Sequence, residues 1–137
     1  EALRSGAIEE DLGALNEAQE WVARTQLEDG SWSDSETEGV PFFTALALRG
    51  LMMEPKPDLS EKIGHGIDWL LAHQLADGSW ASGYILRIPH PSVREPWKAS
   101  SWIRDGRAIN AVIKDHRRLF TTATAFMALS EFMGDST

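Results

Sequence analysis

The chain has 137 residues, no cysteine, 42% apolar and 25% charged residues, and a formal net charge of −8. That length suits one domain able to bury about two-thirds of its unfolded surface without covalent staples. The absent cysteine excludes a disulfide scaffold, Cys-ligated zinc and a thiol nucleophile, and the acidic balance argues against general nucleic-acid affinity.

Glu1 to Gly13 are acidic and lack the basic-then-apolar layout of a signal peptide. With no initiator Met, a processed product or a piece of something longer is expected. The expected compartment is the cytoplasm. An approximate apolar stripe of Ile8, Leu12, Leu15, Trp21 and Val22 predicts a helix over 8–28. Asp34-Ser35-Glu36-Thr37 reads as a solvated acidic loop. Pro41 and the run Phe42 to Met53 predict a second helix with Pro in its first turn, closed before Pro55 and Pro57. Ser60 starts a third helix, 60–76, whose apolar stripe is Ile63, Ile67, Leu70 and Leu71. Residues 81–110 read as irregular, with a short strand conceivable over Ala108 to Lys114. A fourth helix is predicted over 117–133, rich in Ala and Thr and therefore able to approach a neighbour closely. No run nears the 18 apolar residues of a membrane span.

A repeat organises these elements. Trp21-Val22-Ala23-Arg24-Thr25-Gln26-Leu27-Glu28-Asp29-Gly30-Ser31-Trp32 returns, 48 residues on, as Trp69-Leu70-Leu71-Ala72-His73-Gln74-Leu75-Ala76-Asp77-Gly78-Ser79-Trp80, with seven of twelve positions identical. Thr44 to Leu51 likewise resembles Thr122 to Leu129, at an offset of 78. The second unit thus carries about 30 extra residues, in a segment where 81–118 holds eight basic and three acidic side chains. Repeat one spans about 8–53 and repeat two about 60–133, with an insertion over 81–116.

The pattern Trp-hydrophobic-x3-Gln-x3-Gly-x-Trp at both blocks resembles the QW motif of the terpene cyclase and squalene-hopene cyclase superfamily. In that family the Gln and the final Trp tie an outer helix to the start of the next. The chemistry suits this: an amide bonds loop backbone, Gly permits a sharp exit, and Trp covers both. Gln26, Trp32, Gln74 and Trp80 are therefore read as structural. The loop Leu86-Arg87-Ile88-Pro89 before Phe120-Thr121-Thr122-Ala123 is also similar to the final repeat of bacterial cyclase-like proteins. The resemblance implies an all-α fold, two α-hairpins of an incomplete α/α toroid that usually closes with about six, as the C-terminal part of a β domain. The Asp-x-Asp-Asp and Asp-x-Asp-Thr-Thr acid motifs of the class II members are absent.

Cyclisation by protonation needs a strong acid and a dry aromatic cavity that stabilises carbocations. Phe42, Phe43, Phe120 and Phe126, with Tyr84, are the candidate cavity aromatics, and Trp97 and Trp102 candidates for covering its mouth. Equally, all these are ordinary core and loop anchors. Arg87, Arg117 and Arg118 are the candidates for gripping a substrate diphosphate, the last two at a helix start. Asp115 and His116 are the candidate acid–base pair, with a helix cap the competing role for Asp115. His65 and His73 lie about 80° apart around one helix and make a poor metal pair; His90 is read as exposed loop. No metal site is expected, and no cofactor save Mg2+ accompanying a diphosphate. Asp34 and Glu36, two residues apart, do not face each other across a sugar as a glycosidase needs.

The reading is a class II type terpene-cyclase-like domain acting on an isoprenoid or isoprenoid diphosphate, its general acid supplied by another segment or chain. The remainder of the toroid is expected from a parent chain, a partner or self-association, threefold closure included. The alternative is a noncatalytic interaction or hydrophobic-ligand module on the same fold.

Overall fold

The structure, a computed structural model, describes residues 2–34, 38–54, 56–95, 98, 103–104 and 111–135. Four helices carry it: α1 (Ala2–Arg24), α2 (Pro41–Met52), α3 (Ser60–Ala72) and α4 (Leu119–Asp135), with a single 3₁₀ turn at Pro57–Leu59. Helical spacing brings Thr44, Ala45, Leu48 and Leu51 to buried positions on α2. Thr121, Ala125 and Ala128 are buried on α4, the helix that packs most extensively on α2. Ile63, Ile67, Trp69 and Leu70 supply the buried face of α3. α2 is the hub, touching α1, α3 and α4. No helix among the described residues is long and apolar enough to cross a membrane.

The all-α expectation is corrected. Strands β1 (Tyr84–Ile88), β2 (Ile103–Arg104) and β3 (Ala111–Lys114) form a three-stranded sheet in the order β1-β3-β2. β1 pairs antiparallel to β3 with Arg87 opposite Val112, and β2 runs parallel to β3. A register shift between Tyr84 and Leu86 bends β1. The segment read as irregular thus holds β1 and β2, and of the strand conceived over 108–114 the structure shows Ala111–Lys114, residues 108–110 lying outside the described residues. Tyr84-Ile85-Leu86-Arg87-Ile88 lacks a period of two, and its main-chain partner lies more than twenty residues downstream.

α1 and α3 end earlier than predicted, at Arg24 and Ala72, because each block uses its last residues as a turn. After α1, Leu27 N–H bonds Ser31 O (2.9 Å) and Gly30 N–H bonds Leu27 O (3.0 Å). After α3, Leu75 N–H bonds Ser79 O (2.8 Å) and Gly78 N–H bonds Leu75 O (2.8 Å). Gly30 and Gly78 occupy left-handed backbone, φ +91 and +84, which a side chain would strain. Each turn is then tied to a later helix, α2 or α4, through a threonine. Trp32 N–H donates to Thr44 Oγ1 at 2.9 Å, and Trp80 N–H to Thr122 Oγ1 at 3.3 Å.

Thr44 is fully buried and Thr122 only half so. Replacing Thr44 by Val strands a buried N–H and should cost about 1–3 kcal/mol. Thr122→Val should cost less, because its longer bond is partly wetted. Urea midpoints of the two variants against the parent check the order.

Candidate functional site

The first block fastens three helices through side chains. Trp32 Nε1–H donates to Val22 O at 2.7 Å, covering the end of α1. Gln26 Nε2 donates both to Gly30 O in its own turn (2.9 Å) and to Lys62 O on α3 (2.8 Å). Asp29 Oδ1 accepts the Ser31 backbone N–H (3.0 Å) and hydroxyl (2.6 Å), while its Oδ2 accepts the indole N–H of Trp69 from α3 (3.0 Å). Trp69 is buried and stacked on His73 at a ring separation of 3.9 Å. Gln19, also buried, donates to Leu51 O and Glu54 O, both at 2.9 Å, closing the end of α2.

The second block repeats the local chemistry. Trp80 Nε1–H donates to Leu70 O (2.8 Å), Gln74 Nε2 to Gly78 O (3.0 Å), and Asp77 Oδ1 accepts both Ser79 donors. The free oxygen of Asp77 takes Arg118 at 3.0 Å instead of an indole.

Asp115, His116 and Arg118 come together around a shallow depression of about 220 Å3, with Lys114, Ser82 and Leu75. Asp115 is used as a cap. Its carboxylate accepts Thr121 N–H in the first turn of α4 (3.0 Å), and its own N–H donates to Ser82 Oγ (2.8 Å). His116 is exposed beside it. Arg87 on β1 holds Asp34 at 2.6 Å, so Arg87 and Arg118 sit on different carboxylates, while Arg117 is exposed.

The aromatics divide. Phe43 packs against the core and meets Phe42 edge-on at 5.7 Å. Phe120 and Phe126 on α4 are exposed. Tyr84 carries Lys114 Nζ 4.9 Å over its ring. Trp97, Trp102 and Glu36 lie outside the described residues. Among the described residues no group of three metal-ligating side chains occurs.

Asp29, Thr44, Gln19 and Trp69 join the framework without having been singled out from the sequence. The Asp-x-Ser spacing shared by both blocks was the available signal for Asp29, since it is the spacing of a side-chain-closed turn.

In this arrangement the chain resembles solved cyclase structures. It is similar to type II terpene cyclase MstE from Scytonema, in a variant complexed with its substrate geranylgeranyl dihydroxybenzoate. That likeness has a TM-score of 0.81 and 30% identity, over 95% of this chain and 39% of that one. A second MstE variant, complexed with its product merosterolic acid A, gives TM-score 0.82 and 31% identity over 95% and 38%. A protein from Actinoplanes gives 0.73 and 35% over 83% and 35%. The chain therefore has a terpene-cyclase-like fold and spans about two fifths of the length of these neighbours. No family model and no curated protein matches it.

Burial pushes the Asp29 carboxyl up, but the hydrogen bonds from Ser31 and Trp69 and the nearby His73 outweigh it and hold it below the ordinary range. For Asp77 the Ser79 bonds, aided by Arg118, do the same. A depressed folded value contributes stability that is present above the unfolded carboxyl value of about 3.9 and is lost as pH falls through the folded one. The chain should therefore lose stability on acidification below about pH 4. Asp29→Asn should flatten part of that loss, read as urea midpoints at pH 7 and pH 3.

Proposed function

We propose that this chain is part of a class II type terpene cyclase, in which its helices line an α/α toroid completed by further hairpins. The observation that carries this reading is the likeness to MstE over 95% of the chain at 30% identity. The reaction would be carbocationic cyclisation of an isoprenoid, with the proton delivered from outside these residues. This sequence has no Asp-x-Asp-Asp motif, and Asp115 is engaged as a helix cap.

Phe42 and Phe120 begin the two inner helices at matching positions, 78 residues apart. Both are proposed as cavity wall, where a ring face stabilises a passing cation. A diphosphate, with Mg2+ as its companion, is one substrate class within this reading. Arg117 is open to it, whereas Arg87 and Arg118 would exchange Asp34 and Asp77 for phosphate oxygens. The neighbour's geranylgeranyl dihydroxybenzoate is an isoprenoid without a diphosphate, so hydrocarbon recognition is the more general requirement.

The absence of the acid motif favours one second reading, a noncatalytic hydrophobic-ligand module. A chimera separates the two. With this chain in place of the matching segment of MstE, the protein should still cyclise geranylgeranyl dihydroxybenzoate, and Phe120→Ala should shift its product ratio by mass spectrometry. A folded chimera that binds the substrate without converting it would sink the cyclase reading and leave the module.

A further inference from the structure

We infer that Arg49 and Glu131, paired between α2 and α4, form a subsite for the polar head of an isoprenoid that bears a hydroxyl or a single carboxyl and no diphosphate. The inference rests on the isoprenoid reading of the proposed function and adds which end of the ligand lies where.

The helices α2 and α4 carry matching stripes. Phe42, Leu46, Arg49 and Met53 recur at helical spacing from the start of α2. Phe120, Thr124, Met127 and Glu131 occupy the positions 78 residues on. None of these side chains is buried, so neither stripe is covered by another helix. Arg49 is the one charged residue of α2, and α4 holds only Glu131 and its terminal Asp135. Every other position of the two stripes is uncharged.

The pair borders a depression of about 710 Å3 whose walls include Leu46, Met52 and Met53. Arg49 Nε donates to both oxygens of Glu131, at 2.9 and 3.1 Å. The Nη donors of Arg49 have no hydrogen-bond partner among the described residues, and its side chain is 34% exposed. Glu131 thus fixes the direction of the guanidinium without using the donors that grip an oxygen. The thioethers at 52 and 53 adapt to hydrocarbon of varied shape. Recognition of an oxygen and an apolar wall meet at one place.

Charge selects the head. The Arg49–Glu131 pair is neutral as a whole. Met52 and Gly134, in the last turns of α2 and α4, also border the depression, so two helix ends add partial negative charge there. A diphosphate brings several negative charges against the Glu131 carboxylate and those ends. A hydroxyl accepts from Arg49 Nη and donates to Glu131, and a single carboxyl accepts from the Nη donors. The hydrocarbon then runs from Arg49 toward Phe42, about 10 Å along α2. Arg117 and Arg118, the candidates for a diphosphate, stand before the opposite end of α4, so the two kinds of head require opposite orientations of the ligand.

The test is methyl NMR on the full chain labelled at its methionines, Met52, Met53, Met127 and Met133. The ligands are geraniol, geranic acid, geranyl diphosphate and the hydrocarbon myrcene, which share one carbon skeleton. Geraniol and geranic acid should give saturable shifts at Met52 and Met53. Met133 does not line the depression and should stay unmoved. Myrcene and geranyl diphosphate should bind there at least about fivefold more weakly. Arg49→Met should lower geraniol to the level of myrcene, and Glu131→Gln should strengthen geranyl diphosphate several-fold. The ligand ranking on the parent chain tests the inference even where a variant fails to fold. No shifts at Met52 and Met53, equal shifts at Met133, or a diphosphate bound there as tightly as geraniol would overturn it. Myrcene binding as tightly as geraniol would overturn the head subsite alone, and the isoprenoid reading would then stand or fall by the chimera.

Discussion

Helix ends packed among other helices expose main-chain carbonyls that water cannot reach, and each needs a donor from a side chain. This protein supplies those donors with two residue types, indoles and amides, and adds a threonine acceptor at the start of a following helix. Indoles close the ends of the outer helices, Trp32 on Val22 and Trp80 on Leu70. Amides handle the rest, Gln19 on the end of α2 and Gln26 on the turn and α3 together. Threonine receives the chain as it enters the next helix. Remove these donors and α1 and α3 lose their terminators, while α1 also loses its side-chain ties to α2 through Gln19 and to α3 through Gln26.

The two blocks show how one local solution serves different surroundings. In each, an aspartate is fixed by its own turn serine, which leaves one carboxylate oxygen pointing outward. Against a neighbouring helix that oxygen takes a buried indole; on the surface it takes an arginine. The intrinsic turn is therefore independent of its partner, and the partner is selected by what stands at the register of Trp69. In a repeat architecture each unit contacts only its neighbours, so one turn can serve units whose neighbours differ.

Much of this was legible in the sequence. Seven identities in twelve residues exposed the repeat, and Gly followed by Trp marked where each outer helix stops. All four helices lie where the apolar spacing placed them, though α1 starts at Ala2 instead of residue 8, and α1 and α3 stop early because the blocks give their final residues to turns. The sheet was hidden for a different reason. β1 is a nearly continuous apolar run without alternation, and β3 is only four residues long, so pairing and not periodicity defines both. The candidate site was legible in part. Asp115, His116 and Arg118 do gather at one depression, but the capping role of Asp115 depends on how the chain folds back onto Ser82 and Thr121. Phe43 and Phe126 looked alike as inner-helix aromatics, yet one packs against the core and the other lies on an uncovered edge. Only the packing of neighbouring helices distinguishes them.

The likeness to a cyclase at about 30% identity runs over residues that carry no Asp-x-Asp-Asp motif, and the helix-end chemistry explains why the fold does not depend on one. The residues that set the fold are Trp, Gln, Asp, Gly and Thr at turns, and none of them has to touch a substrate. The residues that would set chemistry are separate: aromatics at the starts of α2 and α4, and arginines in the inserted segment. Changing the second set leaves the helix attachments intact, so the fold constrains the reaction only through the walls it positions. The inserted segment follows the same rule. The ion pairs of Arg87 within it and of Arg118 just after it, to Asp34 and Asp77, are exposed, and such pairs contribute at most about 1 kcal/mol each. Its attachment depends instead on packing, where Gly83 approaches Val40 too closely for a Cβ, and on the Ser82–Asp115–Thr121 bonds. The arginines are consequently exchangeable at low cost, while the sheet that carries Arg87 stays where it is.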